Sequence, residues 1–282
     1  MLLLLCSAQP AAGHGVLHEQ IAEISERLEL EPTSALLYLT RGKLHRLHEA
    51  WEAALADYDR AAQLDPGLEA VDVARGLLWL EAGRFHFALA ALDRVLARSP
   101  DHAGARLTRA RVLVRLEAYE AASRDYSHAL KFLSKPDHYI ERTRALAALG
   151  EDHIGRAIRG LDEGRRRLGP IPTLQLYAID LEVRLHRYDR ALVRLGALRG
   201  HLGQPTWLAR HAEILEQAGR LDQARTAYEA ALDALRRLPL HRRQTHAMTQ
   251  FGGRLHAALE QLTAALTSGT PLQHSTEVLG SP

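Results

Sequence analysis

From Val16 to Leu30 the apolar residues Leu17, Ile21, Ile24 and Leu28 recur at steps of three or four, with Glu19, Glu23, Glu26 and Arg27 between them. That spacing predicts a helix apolar on one side and charged on the other, stopped by Glu31-Pro32. A similar segment lies towards the other end of the chain. From about His241 to Leu266, Met248, Phe251, Leu255, Leu259, Leu262 and Leu266 line one face of a predicted helix, and Gly252-Gly253 offers it a place to bend. Between these two segments the helical pattern repeats itself. Arg41-Gly42 returns as Arg75-Gly76, Ala54 as Ala88, Tyr58 as Leu92, Ala61 as Val95 and Asp65-Pro66 as Ser99-Pro100, always at an offset of 34 residues. A third copy carries Ala110, Tyr119, Ala122, Tyr126 and Ala129. After Lys131 the register slips, and a fourth copy resumes one residue late with Arg144-Ala145, Ala157, Leu161 and Gly164. Tyr188, Ala191, Leu195 and Leu198 mark a fifth; Ala212, Gly219, Leu221, Ala224, Tyr228 and Ala231 mark a sixth. The small residues suit places where two helix axes approach, and the bulky ones fill the gaps between neighbouring hairpins. Pro66 and its counterparts end each unit, since proline cannot continue a helix.

A 34-residue period with Gly at position 8, Ala at 20, an aromatic or Leu at 24, a small residue at 27 and Pro at 32 resembles the tetratricopeptide repeat. The resemblance covers about Ala35 to Leu238. It implies an all-α, right-handed superhelical solenoid of about six helix-turn-helix repeats with flanking terminal helices. On this reading residues 1–13 are a signal peptide and 14–34 a capping helix or partial repeat. Repeats follow at 35–68, 69–102, 103–136, 137–170, 171–204 and 205–239, then a capping helix at 240–267 and a disordered tail at 268–282. The fourth repeat is the degenerate one. Gly150, Gly155, Gly160, Gly164 and Gly169 each lower helix stability, so the solenoid is expected to be softest there.

Composition narrows the function classes. Thirty-six basic and 34 acidic side chains leave a formal charge of +2, too little for the whole chain to be a polyanion binder by charge alone. Cys6 is the single cysteine, which rules out an intramolecular disulfide framework or a thiolate metal site. Met1 to Leu5 are apolar and Cys6 to Gly13 small or turn-forming, the order of a secretory leader cut after Gly13. The expected location is therefore the bacterial periplasm or outside the cell, with the cytoplasm as alternative. No segment reads as an integral membrane span.

The expected activity is non-catalytic: a scaffold or adaptor that holds a peptide segment of a partner protein in its concave groove. No cofactor and no nucleic acid are expected. By the positions that face the groove in the family, the resemblance points to Leu39, Lys43, Arg46, Leu77, Arg111, Arg115 and Arg142. Apolar spots among cations suit an extended peptide bearing acidic and hydrophobic side chains, and Asp180, Glu213 and Glu216 make the later repeats acidic. Arg41 precedes Asp57 by sixteen residues, as Arg109 precedes Asp125, and these are read as ion pairs within a hairpin. Two alternatives remain. The chain has 16 His, and His14 with His18 offers nitrogen ligands for a metal-handling role, copper(II) above all. The arginine clusters at 165–167 and at Arg236, Arg237, Arg242 and Arg243 suggest an RNA-associated helical repeat. Enzyme motifs fail: His18-Glu19 and His48-Glu49 open like a zinc protease motif, but Ala22 and Glu52 stand where the second His is needed.

Overall fold

A computed structural model describes residues 11–268, with side chains for 15–267. Its helices are α1 (Ala11–Leu30), α2 (Ala35–Leu47), α3 (Trp51–Leu64), α4 (Glu69–Glu81), α5 (Phe85–Arg98), α6 (Ala103–Arg115), α7 (Tyr119–Ala129), α8 (Pro136–Ala148), α9 (Glu151–Leu168), α10 (Pro172–Arg184), α11 (Tyr188–Gly196), α12 (Gln204–Gln217), α13 (Leu221–Arg236), α14 (Leu240–Arg243) and α15 (His246–Ser268). Among the described residues there is no strand, only an isolated bridge between Arg199 and Leu202. The chain divides into two units, residues 1–133 and 134–282.

Unit 1 is α1 followed by three antiparallel hairpins, α2/α3, α4/α5 and α6/α7. Close approach within a hairpin depends on the small residue of its first helix. A methyl group on Gly42 would sit 2.6 Å from Tyr58 Cε1, and one on Gly76 2.7 Å from Leu92 Cγ. Tyr58 and Leu92 are themselves fully buried. The turn inside each hairpin passes through left-handed backbone at Glu49, Gly83 and Glu117, with φ of 59°, 70° and 58°. The amides of Ala50, Arg84 and Ala118 then donate to the carbonyls five residues back, at 2.9, 2.7 and 2.8 Å, which is how a helix end recovers its orphan carbonyls. These turns too are 34 residues apart.

Helix α1 packs on α2 through Ile24, Leu28 and Leu37. It begins at Ala11 and runs through Gly13, the expected cleavage point, without interruption. The rest of the expected leader, and the tail after residue 268, lie outside the described residues.

Unit 2 contains the hairpins α8/α9, α10/α11 and α12/α13, closed by α15 on α13. Phe251, Leu255 and Leu262 of α15 join Tyr228, Leu232 and Leu235 in one core. Gly252-Gly253 lies inside α15, which continues through it. In α9 two of the glycines, Gly160 and Gly164, serve packing. A methyl group at Gly164 would lie 2.8 Å from Tyr139 Cγ, so the Tyr139 ring can lie close only because that position is bare; one at Gly160 would lie 2.6 Å from Arg142 Nη2, the movable end of its side chain.

Candidate functional site

In unit 1 the first helices of the hairpins form a row, with α4 in contact with both α2 and α6. Arg46 of α2 forms an ion pair with Glu81 of α4, which ties the row together across one repeat spacing. Beside that tie Lys43 is exposed on α2, Val73, Leu77 and Leu80 are half-buried on α4, and Arg111, Val114 and Arg115 follow on α6. Arg111 is half-buried and engaged; Arg115 is exposed, with its guanidinium 5.3 Å from the Phe85 ring centroid. The face is thus an apolar floor between cations.

Two of the expected groove residues lie elsewhere. Leu39 is only 3% exposed and belongs to the core with Ala54, Tyr58 and Val71; its position turns inward because Gly42 brings α3 close on that side. Arg142 belongs to unit 2 and is buried, donating to Gly160 O at 3.2 Å and Glu163 at 3.0 Å over the Tyr139 ring. It is a packing residue.

Arg41 donates to both oxygens of Asp57, at 2.9 and 2.7 Å. Arg109 does the same to Asp125 at 2.6 and 2.9 Å, and Arg106 adds a third bond at 2.9 Å. The arginines at the repeated position also reach backwards: Arg41 to Ser25 at 3.2 Å, Arg109 to Asp93 at 2.6 Å, and Arg75 to Asp59. Ser25, Asp59 and Asp93 are themselves 34 residues apart, each sixteen before its arginine. One arginine therefore joins its own hairpin to the helix before it. Sequence reading finds the forward half of this pattern and misses the backward half, although the same arithmetic run in the other direction exposes it. It also shows why α1 stacks as it does, for Ser25 places α1 where the second helix of a preceding repeat would be. The second repeat has Ala91 in place of the forward Asp. Asp72 is bound there by Arg94 and Arg98 at 2.8 and 3.1 Å. Burial opposes its charge, but the bonds and charges of these arginines outweigh burial and hold the carboxyl below its ordinary range.

In unit 2 the acidic residues of α10 and α12 are largely spoken for. Arg210 pairs with Asp180 and, at 2.7 Å, with Glu213, and Glu216 accepts from the Tyr228 hydroxyl at 2.7 Å. Burial raises the pKa of both Asp180 and Glu213 despite that partner. Of the expected acidic surface, Glu213 is buried, Glu216 is half-buried and Asp180 is exposed but paired with Arg210.

A family model described as "Tetratricopeptide repeat" matches residues 79–131, from the end of α4 to the end of α7. A tetratricopeptide repeat protein from Parabacteroides merdae ATCC 43184 superposes with a TM-score of 0.50 at 16% identity, over 89% of this chain and 94% of that one. The chain has the tetratricopeptide repeat fold, and residues 79–131 match the repeat itself. MamA 41-end from Desulfovibrio magneticus RS-1 gives 0.46 at 16% identity, covering 54% of this chain and 86% of that one. YrrB, whose structure is described as "a TPR protein with an unusual peptide-binding site", gives 0.40 at 16% identity over 75% and 91%. No curated protein matches the sequence.

A second cluster lies between α11 and α12. There Trp207 donates to Leu195 O at 2.8 Å, stacks on His211 with centroids 5.1 Å apart, and lies under the Arg199 guanidinium at 5.0 Å. Burial first, and then the charge of Arg199, lower the pKa of His211. A histidine with its folded pKa depressed contributes stability above its unfolded value of about 6.5, and that stability is lost as pH falls towards the folded value. Between pH 7 and pH 5 the melting temperature of wild type should therefore fall further than that of His211→Gln. Parallel pH profiles would contradict this.

Among the described residues no helix is long and apolar enough to cross a membrane. The side chain of His14 lies outside the described residues, and His18 is exposed on α1.

Proposed function

We propose that this tetratricopeptide protein is a scaffold that holds an extended, acidic and apolar peptide segment of a partner protein along the α2–α4–α6 row of unit 1. The observation that carries the reading is the half-exposed apolar strip of Val73, Leu77 and Leu80 flanked by exposed Lys43 and Arg115. An extended peptide can place alternate side chains on such a strip while its carboxylates meet the flanking cations. The cations mainly steer encounter and set register, so salt should weaken binding. Location in the periplasm is part of the same proposal and rests on the order of apolar and small residues in 1–13.

Fluorescence anisotropy with labelled peptides tests it. A peptide alternating Leu with Asp or Glu should bind, and a Lys-substituted counterpart should not. Lys43→Glu combined with Arg115→Glu should weaken the acidic peptide about tenfold or more, as expected for reversing two flanking charges. Equal affinity for both peptides, or no effect of the double variant, would remove the groove assignment. N-terminal sequencing of the native protein from an envelope fraction tests the location, with a start at His14 expected.

A further inference from the structure

Helix α1 is anchored in its second half, by Ile24, Leu28 and the Arg41–Ser25 bond. In its first half most side chains from Val16 to Gln20 are exposed. A contact between two histidines nevertheless joins that half to the first hairpin. His18 Nε2 lies 3.1 Å from Nε2 of His48, the residue that caps α2, with ring centroids 4.5 Å apart and planes inclined at 61°. Two histidines from different helices, thirty residues apart in sequence, thus bring the same nitrogen to one point.

We propose that His18 and His48 form a binding site for a late first-row divalent cation such as Zn²⁺, clamping α1 onto the first repeat. At the usual Zn–N length of about 2.0–2.1 Å, two nitrogens 3.1 Å apart subtend an angle of roughly 100° at the metal, within reach of tetrahedral coordination. Imidazole nitrogen is the ligand class these ions favour. Each ring must offer its Nε2 lone pair and so carry its proton on Nδ1; the ion then replaces the direct contact between the rings. Among the described residues no third metal-binding side chain joins the pair. The remaining positions therefore belong to water or to a ligand from outside this set. Because the two ligands come from separate elements, the metal binds the docked arrangement of α1 better than the undocked one and stabilises it by mass action.

The test is a calorimetric titration of Zn²⁺ into the full chain, freed of any affinity tag, beside thermal melts with and without the metal. Wild type should take up one Zn²⁺ per chain and melt at a higher temperature when it is bound. His18→Ala and His48→Ala should each bind at least about tenfold more weakly, while His45→Ala, with its imidazole 3.8 Å from Asp57, should bind as wild type. His18 is exposed, so His18→Ala should match wild type in a metal-free melt, which separates loss of a ligand from loss of fold. Absence of saturable uptake by wild type overturns the proposal. So does uptake that survives His48→Ala, since the metal would then be held by α1 alone.

Discussion

Gly42→Val should lower the stability of unit 1 by about 3 kcal/mol, the upper part of the range for overfilling a packed core. The added Cβ would lie 2.6 and 2.7 Å from two ring carbons of Tyr58 and 3.1 Å from the Ala54 carbonyl oxygen. Neither neighbour can give way: Tyr58 is fully buried, and the carbonyl belongs to the backbone of α3. Part of this cost would be offset in Gly42→Ala by the better helix propensity of alanine, about 1 kcal/mol, but valine gains little of it and adds two methyl groups. Gly160→Ala is the informative comparison. Its Cβ would also come within 2.6 Å of a neighbour, yet that neighbour is the far end of the Arg142 side chain, which can move. Thermal or urea unfolding should rank Gly42→Val well below Gly160→Ala. An unchanged midpoint for Gly42→Val would mean that α2 and α3 do not approach at this point.

Arg109→Met should cost about 2 kcal/mol without touching peptide affinity. Asp125 is only 5% exposed at its side chain, and the substitution removes two of its three arginine bonds together with the link to Asp93. Stripping the partner from a fully buried carboxylate costs about 3–5 kcal/mol; here Arg106 remains and Arg109 is itself a quarter exposed, which brings the figure down. Asp125→Asn added to Arg109→Met should recover much of the loss, because a neutral amide is cheaper to leave without a cation. If Arg109→Met instead kept its melting temperature and lost the acidic peptide, the arginine row would face a ligand and not the hairpin.

The architecture was legible in the sequence because packing constraints repeat. Gly42 and Gly76, or Tyr58 and Leu92, occupy like slots, and a 34-residue offset is visible without coordinates. The site was less legible for a physical reason. Surface positions in a repeat are not bound by the spacing that governs its core, so a family register transferred to the first repeat pointed Leu39 outward when it faces Tyr58. In the degenerate repeat it pointed Arg142 outward when Gly160 and Gly164 had made room for it and for Tyr139 inside. The His18–His48 contact was invisible for a different cause: it joins two elements that sequence could not place side by side, since α1 is not a full repeat.

The backward reach of the arginines carries a consequence for how far such a device can extend. It works by counting, and it succeeds three times, at Ser25–Arg41, Asp59–Arg75 and Asp93–Arg109. One period further on, the acceptor position holds Ser127 and the next arginine, Arg144, falls one residue out of step. A single inserted residue after Lys131 is thus enough to end the series near residue 133, where unit 1 also ends. In a protein built from repeated hairpins, a one-residue insertion acts as punctuation: it leaves each hairpin intact while closing the sentence that the hairpins were spelling.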